Sequence, residues 1–324
     1  MKYYFILNPV SGGKKHKNEI LYEIRDAVKK YGIDYDVYYT KGPGDAQRYV
    51  RELCKTHRWE AELRGEDPDS LRVIGVGGDG TVNELVNGAF GFDNVEVGAI
   101  PYGTGNDYIR NYGDPDAFRS VEGQILGESR DSDLIRYRAE YQGAVTEGLC
   151  ANMFNIGFDA DVVDMTENVK TWPLMNGSTA YLAAILFSLG RKREISLRVE
   201  YGPGRKIYDG NVLLISVANG CFCGGGIKGV PRAVLDDGLM DVSRVKSGVT
   251  RRFFVRMFSK YQKGTHLEDP RVARVFDYEQ TKTLAITSNG EYLKLCVDGE
   301  ITRQKRVEFE VVPCAVRFIV PPGV

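Results

Sequence analysis

Residues 71–84 read Leu-Arg-Val-Ile-Gly-Val-Gly-Gly-Asp-Gly-Thr-Val-Asn-Glu, and this stretch decides the fold of the first part of the chain. The apolar run from Leu71 to Val76 is typical of a buried parallel strand, because such strands are covered on both faces. Glycines follow the run directly, and the pattern from Thr81 to Phe90 predicts a short helix. A strand, a glycine-rich turn and a helix in this order indicate one unit of a parallel α/β sheet.

The same alternation continues on both sides of this stretch. The periodicity predicts strands at Tyr3–Leu7, Ile33–Tyr39 and Val95–Ile100, a helix through Ile20 and Val28 that stops at Gly32, and a helix from Asp45 to about His57 followed by a charged loop from Glu60 to Ser70. The first part is therefore predicted to be a doubly wound parallel sheet with helices on both faces. Ligand sites on such sheets lie outside the carboxyl ends of the strands.

The pattern changes near Arg130, where short apolar runs separated mostly by Gly, Pro or Asp-Gly turns begin. These runs are Leu149–Phe154, Ile195–Tyr201, Val212–Val217, Met240–Val245, Leu284–Thr287, Leu293–Val297 and Val307–Val312. They predict an antiparallel sandwich or barrel, interrupted by helices at Ser178–Leu189 and Thr250–Gln262. We therefore expect an α/β domain over residues 1–130 and a β domain over residues 131–324, with the last residues able to pack back on the first domain.

Composition excludes several classes of function. The chain has 43 Lys+Arg and 44 Asp+Glu, and this balance argues against general binding to nucleic acid, which needs a strong basic excess. Only 3 His are present, so a His-centred triad or a multi-His metal site is nearly excluded, and a carboxylate is the expected general base. The 6 Cys are scattered without a C-x-x-C pair, which favours reduced thiols in a cytosolic protein.

The sequence gives little indication of a signal peptide or of a membrane-spanning helix. Met1 leads directly into the first predicted strand without a signal peptide, and the most apolar segment, Tyr181–Leu189, is far shorter than the roughly 20 residues that span a bilayer. These observations predict a soluble protein.

Three glycine-containing loops directly follow predicted strands of the first domain. They read Asn8-Pro9-Val10-Ser11-Gly12-Gly13, Gly77-Gly78-Asp79-Gly80-Thr81 and Pro101-Tyr102-Gly103-Thr104-Gly105-Asn106-Asp107. Glycines between a strand and a helix let backbone N–H groups turn toward an anion, and the helix dipole adds attraction. A single loop of this kind is often only a tight turn, whereas three at one sheet edge favour a phosphorylated ligand.

The kind of nucleotide site follows from the second loop. No G-x-x-x-x-G-K-[ST] motif occurs, which excludes a P-loop. Gly75-x-Gly77-x-x-Gly80 matches the dinucleotide fingerprint and keeps a dinucleotide site as an alternative, although it follows the third strand rather than the first. Asp79 within the loop would repel bare phosphate unless a divalent cation lies between them, so the sequence favours a magnesium nucleotide over NAD.

These loops carry a family resemblance that continues along the chain. The further motifs are Val82-Asn83-Glu84, Asn152-Met-Phe-Asn-Ile-Gly-Phe-Asp-Ala, Asn219-Gly220, Gly224-Gly-Gly, Leu235-Asp-Asp-Gly-Leu-Met-Asp-Val and Val297-Asp-Gly-Glu. In order and spacing the set resembles the diacylglycerol kinase catalytic family, which includes bacterial soluble lipid kinases, ceramide kinases and sphingosine kinases. Gly-Gly-Asp-Gly-Thr alone is shared with NAD kinases and 6-phosphofructokinases, so the complete series carries the resemblance.

The resemblance implies an NAD kinase-like nucleotide domain and a C-terminal β-sandwich, with ATP bound in the cleft between them and Mg²⁺ arriving with the ATP. The residues that would surround the nucleotide are Asn8, Pro9, Val10, Ser11, Gly12, Thr40, Gly77, Gly78, Asp79, Gly80, Thr81, Val82, Asn83 and Thr104. Asp107 would either help to hold the Mg²⁺ or cap the next turn.

The resemblance also implies roles for late carboxylates. Glu300 would accept the proton of the attacking hydroxyl and Asp298 would be a metal or hydroxyl partner, although Asp-Gly is also a common hairpin turn. The Asp237 carboxylate and the backbone carbonyls of Val234 and Leu239 would hold a structural Mg²⁺ or Ca²⁺, since both ions prefer oxygen ligands.

The implied activity is phosphorylation of a lipid hydroxyl by ATP, with diacylglycerol converted to phosphatidic acid as the expected case. The alternatives are an NAD kinase-like enzyme and a catalytically inactive nucleotide-binding regulator. The helix at 250–262 has a basic face, and Arg191-Lys192-Arg193 is a second basic cluster, which favour membrane docking or simply a solvated surface. We expect a cytoplasmic protein, peripheral to the inner face of the membrane, and the resemblance makes a homodimer plausible.

Overall fold

The computed structural model describes residues 1–11, 13–157, 194–202, 204, 206–297 and 300–324, without the side chains of residues 13–17 and 251. The described chain forms two compact units, one of residues 1–132 with 314–324 and one of residues 133–313. Several predicted features lie outside the described residues: Gly12, Asp298, the helix Ser178–Leu189 and the cluster Arg191–Arg193.

The first unit alternates strands and helices. Its elements are β1 (Lys2–Leu7), α1 (Gly13–Tyr31), β2 (Tyr35–Tyr39), α2 (Asp45–Arg64), β3 (Leu71–Gly77), α3 (Asp79–Ala89), β4 (Val95–Pro101), two 3₁₀ turns (Ile109–Asn111 and Pro115–Arg119) and α4 (Val121–Leu126). The strands form a parallel sheet in the order β2-β1-β3-β4, and the chain's last strand, β15 (Arg306–Val320), joins it beside β4 through Arg317 and Phe318. The strand order reverses between β1 and β3, which is where ligands bind on such sheets.

Helices cover both faces of this sheet. On one face α1 and α4 bury Ile24 and Ile125 against Phe5 and Ile74. On the other, α3 packs so closely on β3 that a Cβ on Gly75 would touch the Leu85 side chain at 3.0 Å. The predicted doubly wound sheet is therefore confirmed.

Helix α2 is longer than its sequence predicted. It continues past His57 to Arg64, so the first residues of the predicted loop Glu60–Ser70 are helical. The reason is Ala61, which is buried and continues the apolar stripe of the helix despite its charged neighbours. The helix ends at Gly65, which adopts a left-handed conformation with a φ of 69°. The carbonyls of Ala61 and Glu62 share the hydrogen bond from its N–H group.

The second unit consists mainly of antiparallel strands. Its elements are β5 (Glu128–Tyr141, from Asp133 onward), β6 (Ala144–Cys150), β7 (Met153–Gly157), β8 (Ile195–Tyr201), β9 (Ile207–Ala218), β10 (Met240–Lys246), α5 (Arg251–Lys263), 3₁₀ turns at His266–Glu268 and Val272–Arg274, β11 (Phe276–Thr281), β12 (Thr283–Ser288), β13 (Leu293–Val297), β14 (Glu300–Gln304) and β15 up to Pro313. The strand order is β6-β5-β15-β12-β8-β9-β7-β13-β14, and β10 pairs with both β9 and β11. Phe154, Ile215, Ile286 and Phe309 lie in its central core, which confirms the predicted sandwich.

Several strand boundaries differ from the prediction, since β2 begins at Tyr35 rather than Ile33 and β9 at Ile207 rather than Val212, and two larger differences have a visible cause. The predicted strand Leu149–Phe154 is divided between β6 and β7, because the carbonyl of Asn152 accepts the N–H groups of Asn219 and Gly220 instead of a ladder bond. The run predicted at Val307–Val312 extends to Val320, since its second part pairs in parallel with β4. Strands β5, β11 and β14 have no counterpart in the prediction.

No helix within the described ranges combines the length and the apolar character that crossing a bilayer requires.

Candidate active site

The three glycine-containing loops of the first unit begin at the same edge of its sheet. Leu7, the last residue of β1, lies opposite Val76 of β3 and Tyr39 of β2, and Gly77 lies opposite Pro101 at the end of β4. Parallel pairing in this register brings all of the carboxyl ends together, as the sequence predicted.

Asn8 shapes the first loop and ties it to α3. Its side-chain oxygen accepts the N–H of Val10 at 3.1 Å, and its side-chain nitrogen donates to the Thr81 hydroxyl at 3.4 Å. The backbone of Ser11 folds back onto the Asn8 carbonyl at 3.2 Å. Val10 is 87% exposed, so the turn presents its backbone to solvent at this edge.

The second and third loops are in direct backbone contact. The carbonyl of Gly77 accepts the N–H groups of Tyr102 at 2.8 Å and Gly103 at 3.1 Å. A Cβ on Gly78 would lie 3.0 Å from the Cα of Gly103, and one on Gly103 would lie closer still to Gly78. Asn106 closes the third loop, since its side chain bonds both the N–H and the carbonyl of Gly103. Glycine is required at 78 and 103 because the two backbones touch.

Asp79 begins α3 and holds the third loop in place. Its Oδ1 accepts the N–H of Tyr108 at 3.0 Å, and the N–H groups of Asn106 and Asp107 also bond to this carboxylate. Burial raises the pKa of Asp79 above its ordinary value, against the effect of these hydrogen bonds. A Cβ on Gly105 would lie 2.9 Å from Asp79 Oδ2 and 3.2 Å from Asp107 Oδ2, so both carboxylates face one small region. Two oxygens in this arrangement suit a divalent cation.

The amino end of α3 has no side-chain cap. Gly78 is the capping residue and offers no side-chain hydrogen bond, and Asp79 is the acidic residue in the first turn, where the helix dipole favours negative charge. Thr81 and Val82 are buried within α3, Gly80 is exposed in its first turn, and Thr104 is exposed on the third loop. Asn83 lies further along α3, and its carbonyl accepts the Asn87 side chain at 2.8 Å.

The segment after β2 is positioned by two acids that the sequence did not single out as site residues. Thr40 N–H bonds the carbonyl of Leu7 at 2.9 Å, which keeps Thr40 at the same edge. Asp45 accepts the N–H of Lys41 at 2.9 Å, and this bond is the largest cause of a lowered pKa at Asp45. Glu84 of α3 accepts the N–H groups of Gly44 at 2.8 Å and of Ala46 at 2.9 Å. Glu84 thus links α3 to the start of α2.

The predicted metal loop of the second unit contains three neighbouring carboxylates. Asp237 Oδ1 accepts the N–H of Leu239 at 2.9 Å, and the buried Asp133 accepts the N–H of Gly238 at 2.7 Å. Burial, followed by the charges of Asp133 and Asp236, raises the pKa of Asp237. Among the residues that the structure describes, no group of three or more His, Cys, Asp or Glu side chains is arranged to hold a metal ion. A cation here would therefore depend on one carboxylate and backbone carbonyls, all oxygen donors of the kind that Mg²⁺ and Ca²⁺ accept.

Sequence reasoning also missed Asp133 and Asn219 as partners of this loop. Asp133 N–H bonds the carbonyl of Leu235 at 2.6 Å, and the Asn219 side chain donates to the carbonyls of Asp133 at 2.7 Å and Ala151 at 3.1 Å. The only sequence signal for Asn219 was the Asn219-Gly220 motif. Asp133 gave no signal, because it lies on a strand whose sequence has no alternating apolar pattern.

Glu300 is exposed at the start of β14, opposite Val297 at the end of β13. Strands β13 and β14 pair antiparallel, and residues 298 and 299 between them lie outside the described residues. An exposed carboxylate at such a position is free to meet a substrate.

Helix α5 covers an apolar cavity in the second unit. Its interior is nearly filled by side chains, since only about 30 Å³ is open to a water-sized molecule. Its walls include Leu214, Val245, Phe254, Met257, Phe258 and His266. Burial lowers the pKa of His266 to about 4, so its ring is neutral at pH 7 and the walls carry no charge there.

Comparison with known proteins covers nearly the whole chain. The family model of the diacylglycerol kinase catalytic domain matches residues 2–137, and that of the YegS C-terminal NAD kinase beta sandwich-like domain matches residues 152–320. A diacylglycerol kinase of Bacillus subtilis is 29% identical over 303 residues, covering 91% of this chain and 88% of the relative. A Shewanella frigidimarina protein named "Probable lipid kinase YegS-like" is 28% identical over 317 residues, covering 96% and 92%. The crystal structure of a diacylglycerol kinase from Bacillus anthracis is similar in fold, with a TM-score of 0.70 at 22% identity, covering 100% of this chain and 98% of that one.

Proposed function

Because the chain belongs to the diacylglycerol kinase catalytic family of lipid kinases, we propose that it transfers the γ-phosphoryl group of ATP to a lipid hydroxyl, with diacylglycerol as the substrate and phosphatidic acid as the product. The observation that carries the proposal is the meeting of three glycine-containing loops at one sheet edge, where Gly78 and Gly103 touch. Loops of this kind present backbone N–H groups, and the uncapped end of α3 adds a positive dipole.

ATP lies against this edge in our proposal. The residues that contact it are those predicted from the sequence: Asn8, Pro9, Val10, Ser11, Gly12, Thr40, Gly77, Gly78, Asp79, Gly80, Thr81, Val82, Asn83 and Thr104. Asp79, with Asp107 beside it, would hold the Mg²⁺ that accompanies the nucleotide and neutralises charge on its phosphates.

The reaction is an in-line displacement. The lipid hydroxyl oxygen forms a bond to the γ-phosphorus, the bond from that phosphorus to the β,γ-bridging oxygen breaks, and ADP leaves with the electron pair. Glu300 receives the hydroxyl proton, a role that its exposed position on β14 permits. Asp298 assists as a hydroxyl or metal partner by resemblance to the family.

The Asp237 loop has a separate, structural role in the proposal. Asp237 and the carbonyls of Val234 and Leu239 would hold Mg²⁺ or Ca²⁺, which would offset the burial and, after it, the charges of Asp133 and Asp236 that raise the pKa of Asp237.

The similarity to a diacylglycerol kinase and to proteins named as probable lipid kinases supports a lipid as the acceptor. An acceptor of this kind resides in a bilayer, so we place the protein in the cytoplasm, at the inner membrane surface.

The direct test is transfer of label from γ-labelled ATP, with Mg²⁺, to a panel of diacylglycerol, other hydroxyl lipids, sugars and NAD. We expect label in lipid, most strongly in diacylglycerol. Label in NAD alone would replace the proposal with an NAD kinase activity, and ATP binding without transfer to any acceptor would favour the inactive regulator.

Glu300→Gln tests the proton acceptor. General-base catalysis typically contributes about 10²–10⁴-fold, so kcat should fall by that factor while ATP affinity is retained. Glu291→Gln makes the same chemical change at another exposed position near this hairpin and should be neutral. Equal turnover in the two variants would remove Glu300 from the mechanism.

A further inference from the structure

Helix α5 carries positive charge without any acidic residue. Over Arg251–Lys263 its sequence is Arg-Arg-Phe-Phe-Val-Arg-Met-Phe-Ser-Lys-Tyr-Gln-Lys. A solvated surface helix usually mixes both signs of charge, because oppositely charged neighbours stabilise it. The concentration is notable in a chain whose formal net charge is −1.

The charges lie on the outer face of the helix. Arg252, Arg256 and Lys263 are exposed, and their spacing of four and seven residues places them in one stripe about 16 Å long. Phe253, Phe254 and Phe258 pack on the opposite face, against the second unit's own strands. The apolar side of α5 is therefore occupied, and the outward side is polar and basic.

The described residues supply no carboxylate partner to this stripe. Within the described parts of the chain, no carboxylate forms an ion pair with Arg252, Arg256 or Lys263. Lys260, by contrast, pairs with the buried Asp269 at 2.8 Å, and Arg271 pairs with the same carboxylate at 2.6 Å. The ion pair of Lys260 with Asp269 fixes the end of α5. The stripe of Arg252, Arg256 and Lys263 is not part of this pairing, so it can meet an external anion.

We propose that the outer stripe of α5, formed by Arg252, Arg256 and Lys263, docks the protein on an anionic lipid bilayer. The inference rests on the proposed lipid kinase function, because it concerns how the enzyme reaches its substrate. A straight row of separated cations matches the flat, diffuse negative charge of a bilayer surface. The inner face of the same helix packs on the second unit, so docking by the outer face would hold that unit at the membrane surface.

A bilayer fits this surface better than nucleic acid does. Single-stranded nucleic acids are bound by grooves in which aromatic rings stack on the bases, whereas the aromatic rings of α5 all point inward. Between the basic residues the outer face instead presents Val255, which is 56% exposed, a small apolar group that a headgroup layer accommodates.

The test compares binding to vesicles of phosphatidylcholine with 40% phosphatidylglycerol and to pure phosphatidylcholine vesicles. Each basic residue near an anionic surface contributes about 1 kcal/mol, so the triple variant Arg252→Gln, Arg256→Gln, Lys263→Gln should bind anionic vesicles about 100-fold more weakly. The control Arg25→Gln, Lys29→Gln, Lys55→Gln removes the same charge from exposed positions of α1 and α2 and should bind as the unaltered protein does. Binding should also fall at high salt.

Activity on a short-chain lipid dispersed as monomers separates this inference from the proposed function. We expect the α5 variant to phosphorylate the monomeric lipid normally while losing activity on anionic vesicles. Unchanged vesicle binding in the α5 variant, or an equal loss in the control, would overturn the docking surface. Preferential binding of a single-stranded oligonucleotide that the α5 variant abolishes would also overturn it. If the protein phosphorylates neither the monomeric lipid nor lipid in vesicles, the proposed function fails, regardless of the result for vesicle binding.

Discussion

Gly103→Ala should separate the second and third loops. The new Cβ would come well within 3.0 Å of the Cα of Gly78, whereas carbon atoms in ordinary contact are about 3.5–4.0 Å apart. The backbone fixes the position of a Cβ and its contact is a backbone atom, so no side-chain rotation can relieve it. The loops would therefore have to move apart by about 1 Å, which would also strain the bonds from Tyr102 and Gly103 to the Gly77 carbonyl.

The expected cost follows from this geometry. Overpacking of a close contact typically destabilises a protein by about 1–3 kcal/mol, and for a domain of this size each kcal/mol lowers the melting temperature by about 2–4 °C. Because a displacement of about 1 Å can cost 100-fold in rate, kcat/KM for ATP should fall by about that factor.

Scanning calorimetry measures the loss of stability and steady-state kinetics at varied ATP measures kcat/KM, while titration calorimetry shows whether ATP binding changes as well. Gly80→Ala is the control for stability, since its Cβ would have nothing within 4 Å and alanine is favoured over glycine in a helix by about 1 kcal/mol. A Gly103→Ala protein that melts and binds ATP like the unaltered chain would refute the argument that the backbone contact requires glycine.

Two further changes test other parts of the structure. Glu84→Gln removes the charge that accepts the N–H groups of Gly44 and Ala46, so KM for ATP should rise about tenfold with a smaller change in kcat; an unaltered KM would show that this link does not position the Thr40 segment. His266 is neutral in the folded protein because burial lowers its pKa to about 4, so the stability this provides is present above pH 6.5 and is lost as the pH falls toward 4. Between pH 7 and pH 4 the free energy of unfolding of the unaltered protein should decrease by about 2–3 kcal/mol more than that of the His266→Phe variant. The same pH dependence of unfolding in the two proteins would contradict this.

The sequence predicted the structure correctly where a local pattern of residues is compatible with only one kind of element. The apolar run before Gly77 specifies a buried strand, and the glycines after it specify a turn at the carboxyl end, so the edge where the loops meet follows from parallel pairing alone. Strand β8 was predicted to the residue because the turns around it are marked.

The sequence did not predict elements whose structure depends on contacts with residues far away along the chain. Strand β5 has no apolar periodicity because Ser132 and Asp133 are buried polar residues, bonded to Tyr108 and to the loop at 235–238 respectively. The length of β15 depends on pairing with β4, more than two hundred residues earlier. The role of Glu84 depends in the same way on the start of α2, and no spacing within its own motif reveals it.

Asp79 combines two roles that one substitution can separate. Its carboxylate accepts backbone N–H groups of the third loop, and its charge faces the same region as that of Asp107. Asparagine retains an acceptor oxygen but has no charge, so Asp79→Asn should preserve the loop and its melting temperature, since burial already disfavours the ionised acid. It should nevertheless lose the part of ATP affinity that depends on Mg²⁺, measured by titrating ATP with Mg²⁺ and with excess chelator. Asp79→Ala removes the acceptor as well and should lower both stability and affinity. If Asp79→Asn binds magnesium ATP as tightly as the unaltered protein, the acid serves only to shape the loop, and the cation must be held elsewhere.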